Sequence, residues 1–142
     1  IVSLLACRNK KGEFLLYKRK RQPFLGLIGY PDGKIHLGEK IADAAKRELK
    51  EKTGLSAVLK HQGDTYITTF QKGELISHVF CHVFLGKTPK GRLKKNSEIG
   101  ECFWSKVEDI KPKNYIPGFS EIHKILKQNT PQRFFKEFTF GY

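Results

Sequence analysis

"GKIHLGEKIADAAKRELKEKTGL", residues 33–55, decides how the rest of the chain is read. From Lys40 to Lys52 it holds neither Gly nor Pro, and Ile41, Ala44, Ala45 and Leu49 recur at helical spacing between charged residues, so an amphipathic helix is predicted there. Gly54 stands where such a helix stops. Glu48, Glu51 and Lys52 lie at i, i+3 and i+4 and therefore share one helical face. Two carboxylates that close suit a hard cation, because Mg²⁺ prefers oxygen ligands, often takes only one or two carboxylates, and completes its octahedron with water and substrate phosphates. Taken alone, such a face is more often a solvated set of weak ion pairs worth about 0.3–0.5 kcal/mol each.

Outward from this stretch, the 142 residues suffice for one ordinary domain, expected to cover 1–142, with 39% hydrophobic and 29% charged residues and no repeat or low-complexity block. The net charge of +13 attracts polyanions, so nucleotides, other polyphosphates and RNA are natural partners; a lysine-rich surface kept for solubility explains the charge equally well. Cys7, Cys81 and Cys102 are odd in number and form no CxxC pair, which argues against a disulfide framework or a zinc site and for reduced, at least partly buried thiols. With no signal peptide and no apolar run near the roughly 20 residues that cross a bilayer, a cytoplasmic protein that does not engage membranes is expected, although the chain starts at Ile1 and a segment upstream is conceivable.

Residues 2–7 and 13–21 read as two strands joined as a hairpin through Gly12. Residues 24–34 read as a short strand leading into a phosphate-sized loop. Residues 57–70 and 74–86 are rich in β-branched and aromatic side chains and form a second expected hairpin around "QKG". A short strand over 101–110 and a helix over 118–128, with Ile122, Ile125 and Leu126 inward, complete a mixed sheet sandwiched by helices.

Gly33, five residues, Glu39, seven residues, Arg47-Glu48-Leu49, one residue, Glu51-Lys52, one residue and Gly54-Leu55 together resemble the signature of the Nudix hydrolases, Gx5Ex7REUxEExGU, where U is a bulky aliphatic residue. Every fixed position agrees except the second glutamate of the EE pair, here Lys52. The resemblance implies an α+β fold, a Nudix-like α/β/α sandwich with a mixed central β-sheet. It implies cleavage of a phosphoanhydride in a nucleoside diphosphate linked to another group, by water and Mg²⁺ or Mn²⁺. Glu48 and Glu51 would be the metal ligands, with the Gly33 carbonyl a third. Arg47 would orient the carboxylates, Glu39 would brace the loop near the metal water, and Lys34 would face the phosphates. Asp32 stands where the family usually has another glycine. A further carboxylate, as base or ligand, would come from the loop before a late strand, at Glu98 or alternatively Glu101; a loop carboxylate is otherwise simply solvated.

Lys52 exchanges a negative charge on the helix face for a positive one. The expectation is weaker metal binding to the free protein, with ligands then drawn from a bound diphosphate, and reduced activity. The alternative is a nucleotide- or RNA-binding module on a catalytically impaired Nudix fold; an isomerase on a related fold is a remote third.

His78, Phe80 and His82 alternate and project from one face of a strand, but no carboxylate or cysteine is spaced for a metal, so they read as ordinary strand residues or a base-stacking surface. His36, His61 and His123 show no pattern. The basic run 86–98 reads as a solubilising loop or a phosphate contact. The aromatic run 133–142 reads as packing against the sheet, with base stacking or self-association as alternatives.

Overall fold

The computed structural model describes residues 1–97, 100–128 and 132–142. Strands β1 (Val2–Cys7), β2 (Phe14–Arg19), β3 (Ile28–Gly29) and β4 (Asp32–Lys34) precede helix α1 (Ile41–Thr53). Strands β5 (Leu55–Gln71), β6 (Glu74–Gly91) and β7 (Gly100–Ser105) follow, then helix α2 (Phe119–Lys127) and strand β8 (Phe134–Gly141). Five strands form a mixed sheet in the order β4-β1-β6-β5-β8, and three form a second sheet, β3-β2-β7. The α+β class with a mixed sheet and two helices is as expected.

Each helix covers its own core. Leu5, Cys7, Leu15, Tyr17 and Phe84 pack with Ala45 and Leu49 of α1. Leu4, Leu16, Tyr30 and Val83 pack with Phe119, Ile122 and Leu126 of α2. Strand periodicity explains the division, since successive residues of β1 and β2 point to opposite faces. The three thiols are free and buried, and burial raises Cys7 and Cys102 to about 11 and Cys81 to about 12. No helix of the described residues is long and apolar enough to cross a membrane.

Several local expectations change. The first two strands are not a paired hairpin: after the Arg8–Phe14 bridge they separate into different sheets. The second hairpin is real but longer than expected, because β6 runs through the start of the basic segment to Gly91, pairing with Leu55. The strand expected over 101–110 ends at Ser105 and yields to 3₁₀ turns. In α2, His123 is buried and bonds the Tyr30 hydroxyl at 2.6 Å, whereas Ile125 is only half-buried. The aromatic end forms β8, an edge strand parallel to β5, in which Phe134, Phe138 and Phe140 are half-buried and Phe135 is exposed.

Candidate active site

Helix α1 ends as its sequence dictates. Gly54 adopts φ 78° and donates its N–H to Lys50, and a side chain there would overlap the Arg92 carbonyl. Buried Thr53 links the end of the helix to β5, donating to the Leu49 carbonyl at 2.6 Å and accepting from the Leu55 N–H at 3.2 Å. With the helix anchored there, its polar face meets the loop carrying Gly33 and Glu39.

Arg47 ties the two together. Its Nε and Nη2 donate to the two oxygens of Glu39 at 2.8 and 2.9 Å. Nη1 donates to Glu48 at 2.7 Å and to Glu51 at 3.1 Å, and Nη2 also reaches the Lys34 carbonyl at 2.9 Å. A planar guanidinium serves such divergent acceptors; an ammonium does not. Glu39 is further held by the His36 N–H at 3.0 Å. The hydrogen bonds from Arg47, then that from His36, hold its carboxyl at about 2, below its ordinary 4.5. Its stabilising contribution is therefore complete above about pH 4.5 and is lost as the pH falls through about 2. Glu39→Gln is expected to be less stable than the parent at neutral pH, with the gap in urea midpoints closing toward pH 2.

Glu48 is the buried member of the pair, 4% exposed, while the Glu51 side chain is 58% exposed. One Glu48 oxygen is satisfied by Arg47; the other, Oε2, is buried without a partner among the described residues. It lies against Gly33, where an added Cβ would overlap the carboxylate. A buried carboxylate oxygen left unpaired is costly unless something else engages it. Oxygens of Glu48 and Glu51, beside a bare backbone at Gly33, suit a divalent ion.

These residues line a cleft of about 430 Å³ with Lys34, Arg19, Arg21, Asp32 and Lys52. Lys52 is thus at the cleft, not turned away from it. Asp32 is raised to about 6, first by burial and also by the Glu48 charge, while Arg19 and Lys52 pull it down. Arg19 is fixed by its Nε to the Pro23 carbonyl at 2.8 Å and by Nη1 to the Tyr17 hydroxyl at 2.8 Å. Arg19 and Asp32 also line a second, largely apolar cavity of about 200 Å³ with Phe24, Ile67, Val79 and Phe119. Phe24 holds a left-handed φ of 67° at that cavity.

A model of the NUDIX domain matches residues 1–125. The chain belongs to the Nudix family. It is 35% identical over 122 residues to an ADP-ribose pyrophosphatase of Methanocaldococcus jannaschii, a match covering 84% of this chain and 66% of that protein's length. The structure of a mutator MutT protein from Bacillus halodurans superposes with a TM-score of 0.81 at 23% identity, over 99% of this chain and 89% of that one. The NUDIX domain of Shewanella oneidensis NrtR, solved in complex with ADP ribose, superposes with a TM-score of 0.73 at 15% identity, over 89% and 85%.

Nudix hydrolases generally use divalent metal ions. Of the residues singled out from the sequence, the Nudix fold brings together Gly33, Lys34, Glu39, Arg47, Glu48 and Glu51. Glu98 lies outside the described residues. Glu101 is exposed on β7 opposite Lys18 and is not part of the cleft lining. Arg19 and Phe24 escaped sequence reading: the first is one base in "YKRKR" and the second one apolar residue before a glycine. The absence of a carboxylate suitably spaced for the strand histidines is also corrected, because β5 places Asp64 opposite His82.

Proposed function

We propose that this Nudix chain hydrolyses a phosphoanhydride in a nucleoside diphosphate linked to another group. The carrying observation is the Glu48 carboxylate, half satisfied by Arg47, with its other oxygen buried against Gly33. Glu48, Glu51 and the Gly33 carbonyl would hold Mg²⁺ or Mn²⁺. When bound, the ion supplies neutralisation of the diphosphate and polarisation of its phosphorus toward water.

The chain's own groups do the rest. Arg47 fixes the direction of Glu48 and Glu51, and Glu39 braces Arg47 from the loop. Lys34, Arg19, Arg21 and Lys52 bind phosphate oxygens in the cleft, and the adjoining apolar cavity takes the nucleoside, Arg19 standing where the two meet. The sequence offers Glu98 or Glu101 for an extra carboxylate, and Asp32, which lines the cleft, is a further one. Its charge interacts with both Glu48 and Lys52, so it restores at the loop one negative charge that Lys52 removes from the helix. Lys52 then reduces metal binding to the free protein without ending turnover.

Residues 1–142 are read as one domain, since β8 extends the sheet that β1 and β4 begin. The three unpaired, buried thiols fit a reducing, cytoplasmic compartment.

ADP-ribose heads the substrate panel because one relative is named for cleaving it and one Nudix domain was crystallised with it. With Mn²⁺ present, release of AMP or of another nucleoside monophosphate from a member of the panel is expected. Binding without turnover across the panel would instead establish the binding-module reading, RNA included. Lys52→Glu is expected to tighten Mg²⁺ binding to the free protein by about tenfold, equivalent to about 1.4 kcal/mol, measured by calorimetry. Unchanged Mg²⁺ affinity would refute the role given to Lys52.

A further inference from the structure

Away from the cleft, the β5–β6 ladder assembles a second group of ligand-bearing side chains. Asp64 Oδ1 lies 2.8 Å from His61 Nε2 and 2.7 Å from His82 Nδ1, and these atoms all fall within 4.8 Å of one another. His82 and Asp64 are direct cross-strand partners. His61 reaches them through a β-bulge. On a regular strand, residues three apart face opposite sides of the sheet, but the register shifts between His61 and Gly63, and the extra residue, Gln62, turns His61 onto the face of Asp64. Gly63, the next residue, lets β8 lie close against the bulge, because a side chain there would overlap the Phe134 carbonyl. The convergence is therefore built into the backbone.

We propose that His61, Asp64 and His82 form a transition-metal site for a Zn²⁺-class ion. Two imidazoles and one carboxylate match the preference of Zn²⁺, whereas Mg²⁺ prefers an all-oxygen set. The three side chains are 15%, 28% and 18% exposed, so water can take the fourth position. In the metal-free state each imidazole donates a ring N–H to Asp64. Metal binding moves those protons to the opposite ring nitrogens and frees Nε2 of His61 and Nδ1 of His82 to coordinate, with no change in net protonation of neutral rings. Ligand atoms around tetrahedral Zn²⁺ sit roughly 3.4 Å apart at ordinary bond lengths. The two contacts to Asp64 must each open by roughly 0.6–0.7 Å to reach that spacing, and the two ring nitrogens already lie within 4.8 Å of each other, with the His61 ring resting against Phe84 and that of His82 against Phe80.

This site is separate from the proposed hydrolytic one. Gly33, Ser3, His82 and Asp64 occupy successive strands in one row. At about 4.8 Å per strand, His82 stands roughly 10 Å from Gly33. An ion there would clamp β5 to β6 on the sheet face that carries α1, and the proposal holds whether or not the chain is a hydrolase.

The test is titration of the metal-free full chain with Co²⁺, read by visible absorption. Four-coordinate Co²⁺ with imidazole ligands absorbs strongly, whereas octahedral Co²⁺ on carboxylates absorbs weakly. We expect a strong band saturating at one equivalent and bleached by Zn²⁺ but not by excess Mg²⁺. It should persist in the Glu48→Gln/Glu51→Gln double variant. Asp64→Asn and His82→Asn, each with the parent's circular dichroism, should lose the band and bind Zn²⁺ more than about 100-fold more weakly, beyond what loss of an outer partner costs. No strong band in the parent chain, or a band abolished by the Glu48/Glu51 changes and kept by Asp64→Asn, would overturn the assignment.

Discussion

Glu48→Gln is expected to lower kcat by about 10³-fold, equivalent to about 4 kcal/mol of transition-state stabilisation. The amide keeps an oxygen for Arg47 Nη1, so the 2.7 Å contact has an acceptor, and the side chain retains its length beside Gly33. It gives up the negative charge that draws a divalent ion to the buried end of the cleft. Because the change is close to isosteric, the unfolding free energy from urea denaturation should fall by no more than about 1 kcal/mol. Folded protein with greatly reduced turnover separates a chemical role from a structural one. Parent-like kcat in a folded Glu48→Gln protein would refute the metal-ligand role.

Gly33→Ala is expected to affect both fold and chemistry. Gly33 does not occupy the left-handed region, so alanine can adopt its backbone conformation. The obstacle is contact: the new methyl would overlap the Glu48 carboxylate, which has little room to move inside its buried position. Overpacking of this kind costs about 1–3 kcal/mol, and displacing Glu48 should cut turnover by about 100-fold. Combining it with Glu48→Ala supplies the control. That second truncation removes the overlapped atoms, so Gly33→Ala should cost almost nothing further in stability when added to Glu48→Ala, and chemical denaturation of the four proteins would show the non-additivity. Additive losses would mean that Gly33 serves the backbone alone.

The helix and the ends of the long hairpin's turn were legible because each is written locally. Ile41, Ala44, Ala45 and Leu49 mark one side of α1, and Gly54 marks its stop. The grouping of Glu39, Glu48 and Glu51 was legible from spacing and family resemblance together, although spacing alone could not show that one Arg47 side chain would engage all three. The separation of β1 and β2 into two sheets was not legible, because strand partners are chosen by contacts distant in sequence: Leu16 opposes Phe103 and Leu4 opposes Val83. Asp64 was missed for a related reason. Its partner His82 lies across a ladder, and His61 joins them only through an irregularity that no alternation of residue types reveals.

The division of β2 between the two cores has a mechanical corollary. Phe14 and Leu16 belong to one packing cluster, Leu15 and Tyr17 to the other, and the Tyr17 hydroxyl continues on to Arg19 at the cleft. A strand gripped from both sides cannot be released from one side without loosening its hold on the other. The amides of α1 and α2 should therefore acquire deuterium through a shared opening event, as a single cooperative unit in which the two helical layers lose protection together.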